Sequence, residues 1–245
     1  MHYREYNPSE RLRPFIRCYW TLASDSPEPP PLQRVFPDGS IEIVFHFGEP
    51  YDRVDEHGRP ERQAHSLLAG QIWAPLTLQP GARSDVLGIR FHPMGALPFL
   101  RFPLHEVSGQ IVSLEEVWGS RARAWRDSLG DARDRIAILE RYLLDCRPEP
   151  VPALQALSPR QHRRRFESCV GIPPKLYERI RRFQRALAEI GGLPIAQVAA
   201  ACGYYDQSHL VRDFRQFTGL TPSNWLADHS NVPFLQDALD AEAVE

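Results

Sequence analysis

Lysine is nearly missing from this 245-residue sequence: of its 29 basic residues only Lys175 is a lysine, and the rest are arginines. Cysteine is scarce as well. Cys18, Cys146, Cys169 and Cys202 stand far apart and form no C-x-x-C pair. That excludes a disulfide frame and a structural zinc site, and fits unpaired thiols in a reducing compartment. No run of about eighteen apolar residues exists, so no membrane-spanning helix is expected. The opening stretch MHYREYNPSERLRPF lacks the apolar segment of a secretory signal, so a cytoplasmic location is expected. Apolar residues as a whole are not scarce. At 42% of the chain they suffice for real cores, which excludes wholesale disorder and leaves one large or two ordinary domains.

The net charge of −2 hides a segregation. Residues 151–225 hold eleven bases and five acids, a net of +6. Residues 226–245 hold five acids and no bases, and residues 1–150 come to −3. A basic block between neutral and acidic parts points to a polyanion partner for that block alone.

Residues 1–130 read as strands and turns. The segment IEIVFHF, Ile41–Phe47, is β-branched and aromatic, and it follows Pro37-Asp38-Gly39, a turn built from a fixed φ and a permissive glycine. Further strands are expected at Phe15–Thr21, Ser66–Gln71, Leu76–Gln79 and Val86–Phe91. Residues 23–31 and 50–64 read as long loops. The absence of βαβ alternation argues against a parallel sheet, and strands at this spacing point to a sandwich or barrel. Short helical pieces follow at Gly95–Phe102, Leu104–Val107, Leu114–Trp118 and Ala122–Leu129. Then comes an amphipathic helix at Asp131–Cys146, with Ile136, Leu139 and Leu143 at helical spacing. Arg147–Pro152, with three prolines in the segment RPEPVP, reads as a linker.

The second half carries the sharper signal. In PIAQVAAACGYYDQSHLVRDFRQFTGL, Pro194 suits a first helical position, Ile195, Val198 and Ala199 form one face, and Gly203 supplies the turn. Asp206 caps a second helix whose Leu210, Phe214 and Phe217 face inward and whose Ser208, Arg212 and Arg215 lie opposite. This is a helix-turn-helix with arginines on its outer side. A weaker copy precedes it. Ser158-Pro159-Arg160-Gln161 is a capping box opening a helix with Arg160, Arg163, Arg164 and Arg165, and with Phe166 and Val170 inward. Pro173-Pro174 then open a long helix striped by Leu176, Ile180, Phe183, Leu187 and Ile190. At about sixteen residues and ~24 Å it would hold the two outer helices over successive major grooves of one duplex.

The run ACGYYDQSHLVRDFRQFTGLTPSNW resembles the C-terminal signature of AraC/XylS transcription regulators, and LSPRQHRRRFESCVGIPPKLYERIRRFQRAL resembles the upstream half of the same domain. Arg13-Pro14-Phe15, Tyr19-Trp20, Pro37-Asp38-Gly39 and Gly88-Ile89-Arg90-Phe91-His92-Pro93 resemble the cupin-like sensor domain attached to one branch of that family. The resemblance implies an α+β chain: a mostly-β cupin-like barrel or sandwich with a few helices, then an all-α domain with two helix-turn-helix units. The expected division is 1–147 for sensing or dimerisation, 148–230 for DNA and 231–245 for an acidic tail. It further implies base reading by Gln207, Ser208 and Arg212, and by Arg160, Arg163 and Arg164 in the first unit. Arg165 is expected to contact the DNA backbone, Arg215 to belong to the DNA-binding face, and His209 to be a phosphate contact or solvent-exposed. Arg can be bidentate to guanine and Gln to adenine. Two departures stand out: the first unit's leading helix is cut to about Val151–Leu157 and contains Pro152, and His162 takes an inward position usually held by leucine.

Other residues have plainer readings. Cys202 is expected to be a packed small residue, His92 structural, and Trp20, Trp73, Trp118 and Trp125 core. His46 shares a strand face with Glu42, but no H-x-H with a downstream Glu accompanies it, so no metal and no cofactor are expected. Glu42, His46 and Arg90 are the candidates for lining a ligand cavity. The expected function is a non-enzymatic transcription regulator on double-stranded DNA, a monomer or homodimer, open to a small-molecule effector and, if an activator, meeting RNA polymerase. Two alternatives are a cupin-type enzyme with a basic nucleic-acid-binding appendage, which needs a converging His/Glu cluster, and a single-strand binder, which needs aromatics interleaved with the bases.

Overall fold

Alternation along three strands sorts the N-terminal half into two cores. The computed structural model describes residues 2–25, 30–130, 132–151 and 157–228. Strands β1 (His2–Tyr6), β2 (Ile16–Asp25), β3 (Gln33–Val35), β4 (Glu42–His46), β5 (Asp52–Val54), β6 (Pro60–Arg62), β7 (Ser66–Ala69), β8 (Leu76–Gln79), β9 (Arg83–Phe91) and β10 (Ile111–Ser113) form two antiparallel sheets. One has six strands in the order β1-β2-β9-β4-β7-β10, the other four in the order β3-β8-β5-β6. With a side-chain period of two, Tyr19, Ile43, Phe45, Leu87 and Ile89 fall on one face of the larger sheet, and Cys18, Trp20, Leu22, Val44 and Val86 on the other. Ile16 and Cys18 have the same parity yet join opposite cores, because a bulge between them shifts the register against β9.

The first face is covered by helices α1 (Leu97–Leu100), α2 (Leu114–Trp118), α3 (Ser120–Gly130) and α4 (Arg135–Asp145), with a 3₁₀ turn at Leu104–Val107. They bury Phe99, Leu114, Trp125, Leu129, Leu139 and Leu143 against it. The second face looks toward the smaller sheet, which contributes Tyr51 and Leu78. This is the expected sandwich of antiparallel sheets. Two expectations on its edges need correction. Residues 50–64 are not all loop, since β5 and β6 pair within them, and β1, β3 and β10 are strands where none was read. All are three to five residues long, and all but β5 lie at a sheet edge, where burial imposes little alternation.

The C-terminal half is helical: α5 (Pro159–Val170), α6 (Pro174–Glu189), α7 (Ile195–Ala201), α8 (Gln207–Thr218) and α9 (Pro222–Asp228). Helix α5 starts with the full capping box of Ser158 and Gln161. Pro194 is the cap of α7 rather than its first residue, a one-residue shift at a frayed end. Helix α9, which went unread, begins at Thr221, whose hydroxyl accepts the Asn224 amide at 3.2 Å. The proposed short helix Val151–Leu157 has its middle, residues 152–156, outside the described residues, as does the acidic tail 231–245. No helix among the described residues is long and apolar enough to cross a membrane.

Candidate nucleic-acid interface and ligand cavity

Helix α8 follows α7 through Cys202-Gly203-Tyr204, and Gly203 takes φ +76° there, a conformation that only glycine adopts freely. Asp206 caps α8 by accepting the His209 amide at 2.7 Å. Leu210, Phe214 and Phe217 are fully buried beneath it. Gln207, Ser208, Arg212 and Arg215 are exposed and line one shallow surface hollow with Val211 and Gln216. Neither Arg212 nor Arg215 makes an ion pair among the described residues. His209 is not part of this face. It is half-buried, edge-on to Tyr204 at 5.2 Å, and 3.8 Å from Asp213.

The position of α8 depends on a residue that the sequence reading missed. Asp213 is buried inside the turn-helix core and receives the Arg179 guanidinium of α6 at 2.6 Å. Arg179 also donates to Gln216 at 2.6 Å and lies over the Phe217 ring. Arg182 caps the turn in the same manner, over Tyr204 and donating to the Gly203 carbonyl at 3.2 Å. Two of the eleven bases in the positive block are therefore structural. An aspartate amid inward-facing apolar positions is the one signal that could have revealed this, but its partner lies 34 residues away in the chain. Tyr205, at 93% exposure, is a second missed residue; its ring stands bare beside Asp206 and Gln207.

In the first unit Arg160, Arg163, Arg164 and Arg165 are all exposed on α5. Arg163 is tied to Glu167 one turn on at 2.8 Å, while the other three make no ion pair among the described residues. The inward position expected for His162 is not what the structure has: it is exposed and stacks on Phe166 at 6.2 Å. The buried stripe of α5 is set by Cys169 and Val170 near its C-terminal end, and the first turn has no described element above it. That buried end docks on the N-terminal half, where the Ser108 hydroxyl donates to the Gly171 carbonyl at 2.5 Å.

The two halves also meet at Phe36–Ser40. Phe36 leaves its own sandwich and is 1% exposed within the helical core, edge-on to Trp225 at 5.1 Å. The Pro37 carbonyl accepts the Gln184 amide of α6 at 2.6 Å, and Gly39, at φ +81°, lies so close to Tyr177 that a β-carbon would sit 3.0 Å from its ring. Gln71 holds the other side, donating to the Gly39 carbonyl at 2.7 Å.

The same segment walls a cavity of about 130 Å³ between the two sheets. Glu42, His46 and Arg90, the three candidate lining residues, all face it, so the structure brings them together. Arg90 donates to Glu42 at 2.5 Å and to Glu5 at 3.2 Å, and lies 3.9 Å from Asp38. Burial raises the Glu42 pKa most strongly, Arg90 opposes it, and Asp38 adds to it. At the other end His46 is 2% exposed, and neither ring nitrogen makes a hydrogen bond of good geometry. Burial pushes its pKa down to about 4, with His65 in the same direction and the approaching Gln63 side chain opposing. Trp20 is a cavity wall as much as a core residue, and its indole N–H has no hydrogen-bond partner. It lies flat on Gly88, where a β-carbon would come within 2.0 Å of the ring. Trp73 is exposed rather than core, whereas Trp125 and Cys202 are packed as expected.

No curated protein matches the chain. Solved structures of ToxT from Vibrio cholerae are similar to it over most of their length. An apo variant from strain SCE256 is 11% identical, with TM-score 0.39 over 91% of this chain and 99% of that one. The unsaturated-fatty-acid-bound wild-type form is 10% identical, with TM-score 0.36 over 84% and 93%. ToxT from strain O395 is 8% identical, with TM-score 0.36 over 86% and 97%. Residues 4–113 match the model of a domain of unknown function, DUF6597, and residues 154–228 that of a helix-turn-helix domain. Residues 154–228 thus form a helix-turn-helix DNA-binding domain of the AraC type, joined to a DUF6597 domain at residues 4–113.

Proposed function

We propose that the chain is a sequence-specific transcription regulator that lays α5 and α8 into successive major grooves of double-stranded DNA. The observation that carries this is the outer face of α8: Gln207, Ser208, Arg212 and Arg215 are exposed and make no side-chain hydrogen bond or ion pair among the described residues, on a helix whose other side is buried and ion-paired. Gln207 suits adenine, Arg212 suits guanine, and Ser208 suits either. Arg215, with Arg165 on α5, suits phosphates, contacts that fix register rather than sequence. Arg160, Arg163 and Arg164 occupy the equivalent face of the first unit, and Tyr205 adds a contact at the turn. His209 is a positioning residue under Tyr204. The working division remains 1–147, 148–230 and 231–245, but Phe36 of the first part completes the core of the second. The unit to test is therefore the whole chain.

The cavity supports control by a small-molecule effector. Phe36 and Asp38 both line it, and the same turn holds Tyr177 and Gln184 of α6. An occupant that binds the docked and undocked arrangements unequally shifts the balance between them, and with it DNA affinity. Contact with RNA polymerase follows if the regulator is an activator, and the N-terminal part also serves if the regulator works as a homodimer.

Genome-wide mapping of bound sites, followed by titration of the full chain on a recovered duplex, tests the DNA reading. The expected result is a log-affinity that falls linearly against log salt by ~0.9 per phosphate contact, with duplex preferred over single strand. Binding that ignores salt, or a preference for single strand, overturns it.

A further inference from the structure

The two ends of the inter-sheet cavity differ in charge, and the difference selects among occupants. Glu42, Val44 and His46 alternate along β4 and all face the cavity, so it runs about 13 Å from an acidic end to a neutral one. At the acidic end Glu5, Asp38 and Glu42 share a single guanidinium, that of Arg90. Among the described residues no other cation comes within ion-pair distance of any of the three; Arg181 passes Gly39 without reaching them. Three carboxylates against one cation leave the cluster short of positive charge. Between the ends the walls are aliphatic and aromatic: Trp20, Leu22, Val44, Leu67 and Leu78, with Tyr3 stacked on Trp20 at 6.2 Å.

We propose that the cavity binds a small single-ring or similarly compact apolar molecule carrying a protonated amine, with the ammonium group between Asp38 and Glu42 and the apolar body against Trp20 and Val44; this rests on reading the cavity as the effector site. A second observation, independent of the acids, marks the space as one that expects a partner. His46 and Trp20 both line the cavity, and among the described residues their ring nitrogens are buried without a hydrogen bond of good geometry, whereas buried polar atoms rarely go unsatisfied. The volume suits the class, because an apolar cavity of ~150 Å³ holds one benzene ring. A mostly apolar wall with a few polar groups is the usual make-up of an organic ligand site. An ammonium gains from the carboxylates, and an apolar body gains from burial against Trp20 and Val44. An anion would add to the existing excess of negative charge, since Arg90 is already shared among three acids.

Three probes with nearly one skeleton separate the possibilities: 2-phenylethylamine, 2-phenylethanol and phenylacetate, each titrated into the full chain at neutral pH by calorimetry and thermal shift. The amine is expected to bind at least tenfold more tightly than the alcohol, and phenylacetate not at all. Glu42→Gln is expected to weaken the amine tenfold or more and to bring it level with the alcohol. Val44→Phe keeps every acid and fills the cavity, so it is expected to abolish amine binding even if Glu42→Gln fails to fold. If the alcohol or phenylacetate binds as well as the amine, and Val44→Phe abolishes that binding, the ammonium assignment is wrong and the cavity reading stands. If no probe binds at millimolar concentration, or binding survives Val44→Phe, both fall. DNA binding is measured separately and does not depend on either result.

Discussion

Helices α5 and α8 both present arginine to solvent and are twelve residues each, but they are held in opposite ways. Helix α8 is anchored from below along most of its length, by Leu210, Phe214 and Phe217 and by the Asp213–Arg179 pair. Helix α5 is anchored only near its C-terminal end, by Cys169, Val170 and the Ser108 bond to Gly171. A side chain reads a base only if its Cα is fixed to within a fraction of an ångström, whereas a phosphate contact tolerates drift. The difference assigns base reading chiefly to α8 and assigns α5 more of the backbone clamping. Helix α5 also ends with a hydrogen bond to the N-terminal half, whereas α8 meets that half, among the described residues, through the apolar cluster of Phe36.

The largest expected effect breaks the anchor of α8. Asp213→Ala leaves Arg179 without its buried partner and is expected to cost about 3–5 kcal/mol of stability. Glu167→Ala, which removes the half-buried partner of the exposed Arg163 on α5, is expected to cost no more than ~0.5 kcal/mol. Chemical denaturation of the two variants side by side checks both figures, and equal losses would erase the contrast between the helices.

A smaller effect sharpens the division of labour on DNA. Arg212→Ala is expected to lose about 1–3 kcal/mol of binding and to relax preference at one or two base pairs. Arg165→Ala is expected to weaken all duplexes alike and to lower the salt slope by ~0.9. Binding selections with randomised duplexes, repeated at several salt concentrations, distinguish these outcomes. If Arg212→Ala acts uniformly, α8 is a clamp as well.

The smallest effect concerns Tyr205. Its ring touches little of the protein, so Tyr205→Ala is expected to leave stability within ~0.5 kcal/mol. A several-fold loss of duplex affinity is expected from the missing phosphate or sugar contact. Melting and binding curves on one preparation suffice, and a large fall in melting temperature would show that the ring packs rather than recognises.

What could be read in advance divides along physical lines. The faces of α8 follow from a 3.6-residue period with large side chains, so Leu210, Phe214 and Phe217 were legible, as was the cap at Asp206. The strands at Leu76–Gln79 and Val86–Phe91 followed from short segments punctuated by turn residues. Strands β5 and β6 did not, because Asp52–Val54 and Pro60–Arg62 are half-buried or exposed and polar residues suffice there. Phe36 was invisible as a bridge: nothing in RVFPDGS says that its ring leaves one core for another. The cavity lining was legible only in part. Glu42 and His46 share a face by strand parity, but the charge excess at Arg90 depends on Asp38 and Glu5, which reach it from a turn and from an edge strand.

Gly88 has a consequence for inheritance. A methyl group there would strike the Trp20 ring at 2.0 Å, and the indole lines the hollow, so its displacement would intrude there. One substitution at a position that touches neither DNA nor any candidate ligand would therefore plug the cavity and leave the arginine face of α8 as it is. Among descendants of this chain, responsiveness and DNA recognition can part company through a single codon, and a regulator that no longer listens would still know where to bind.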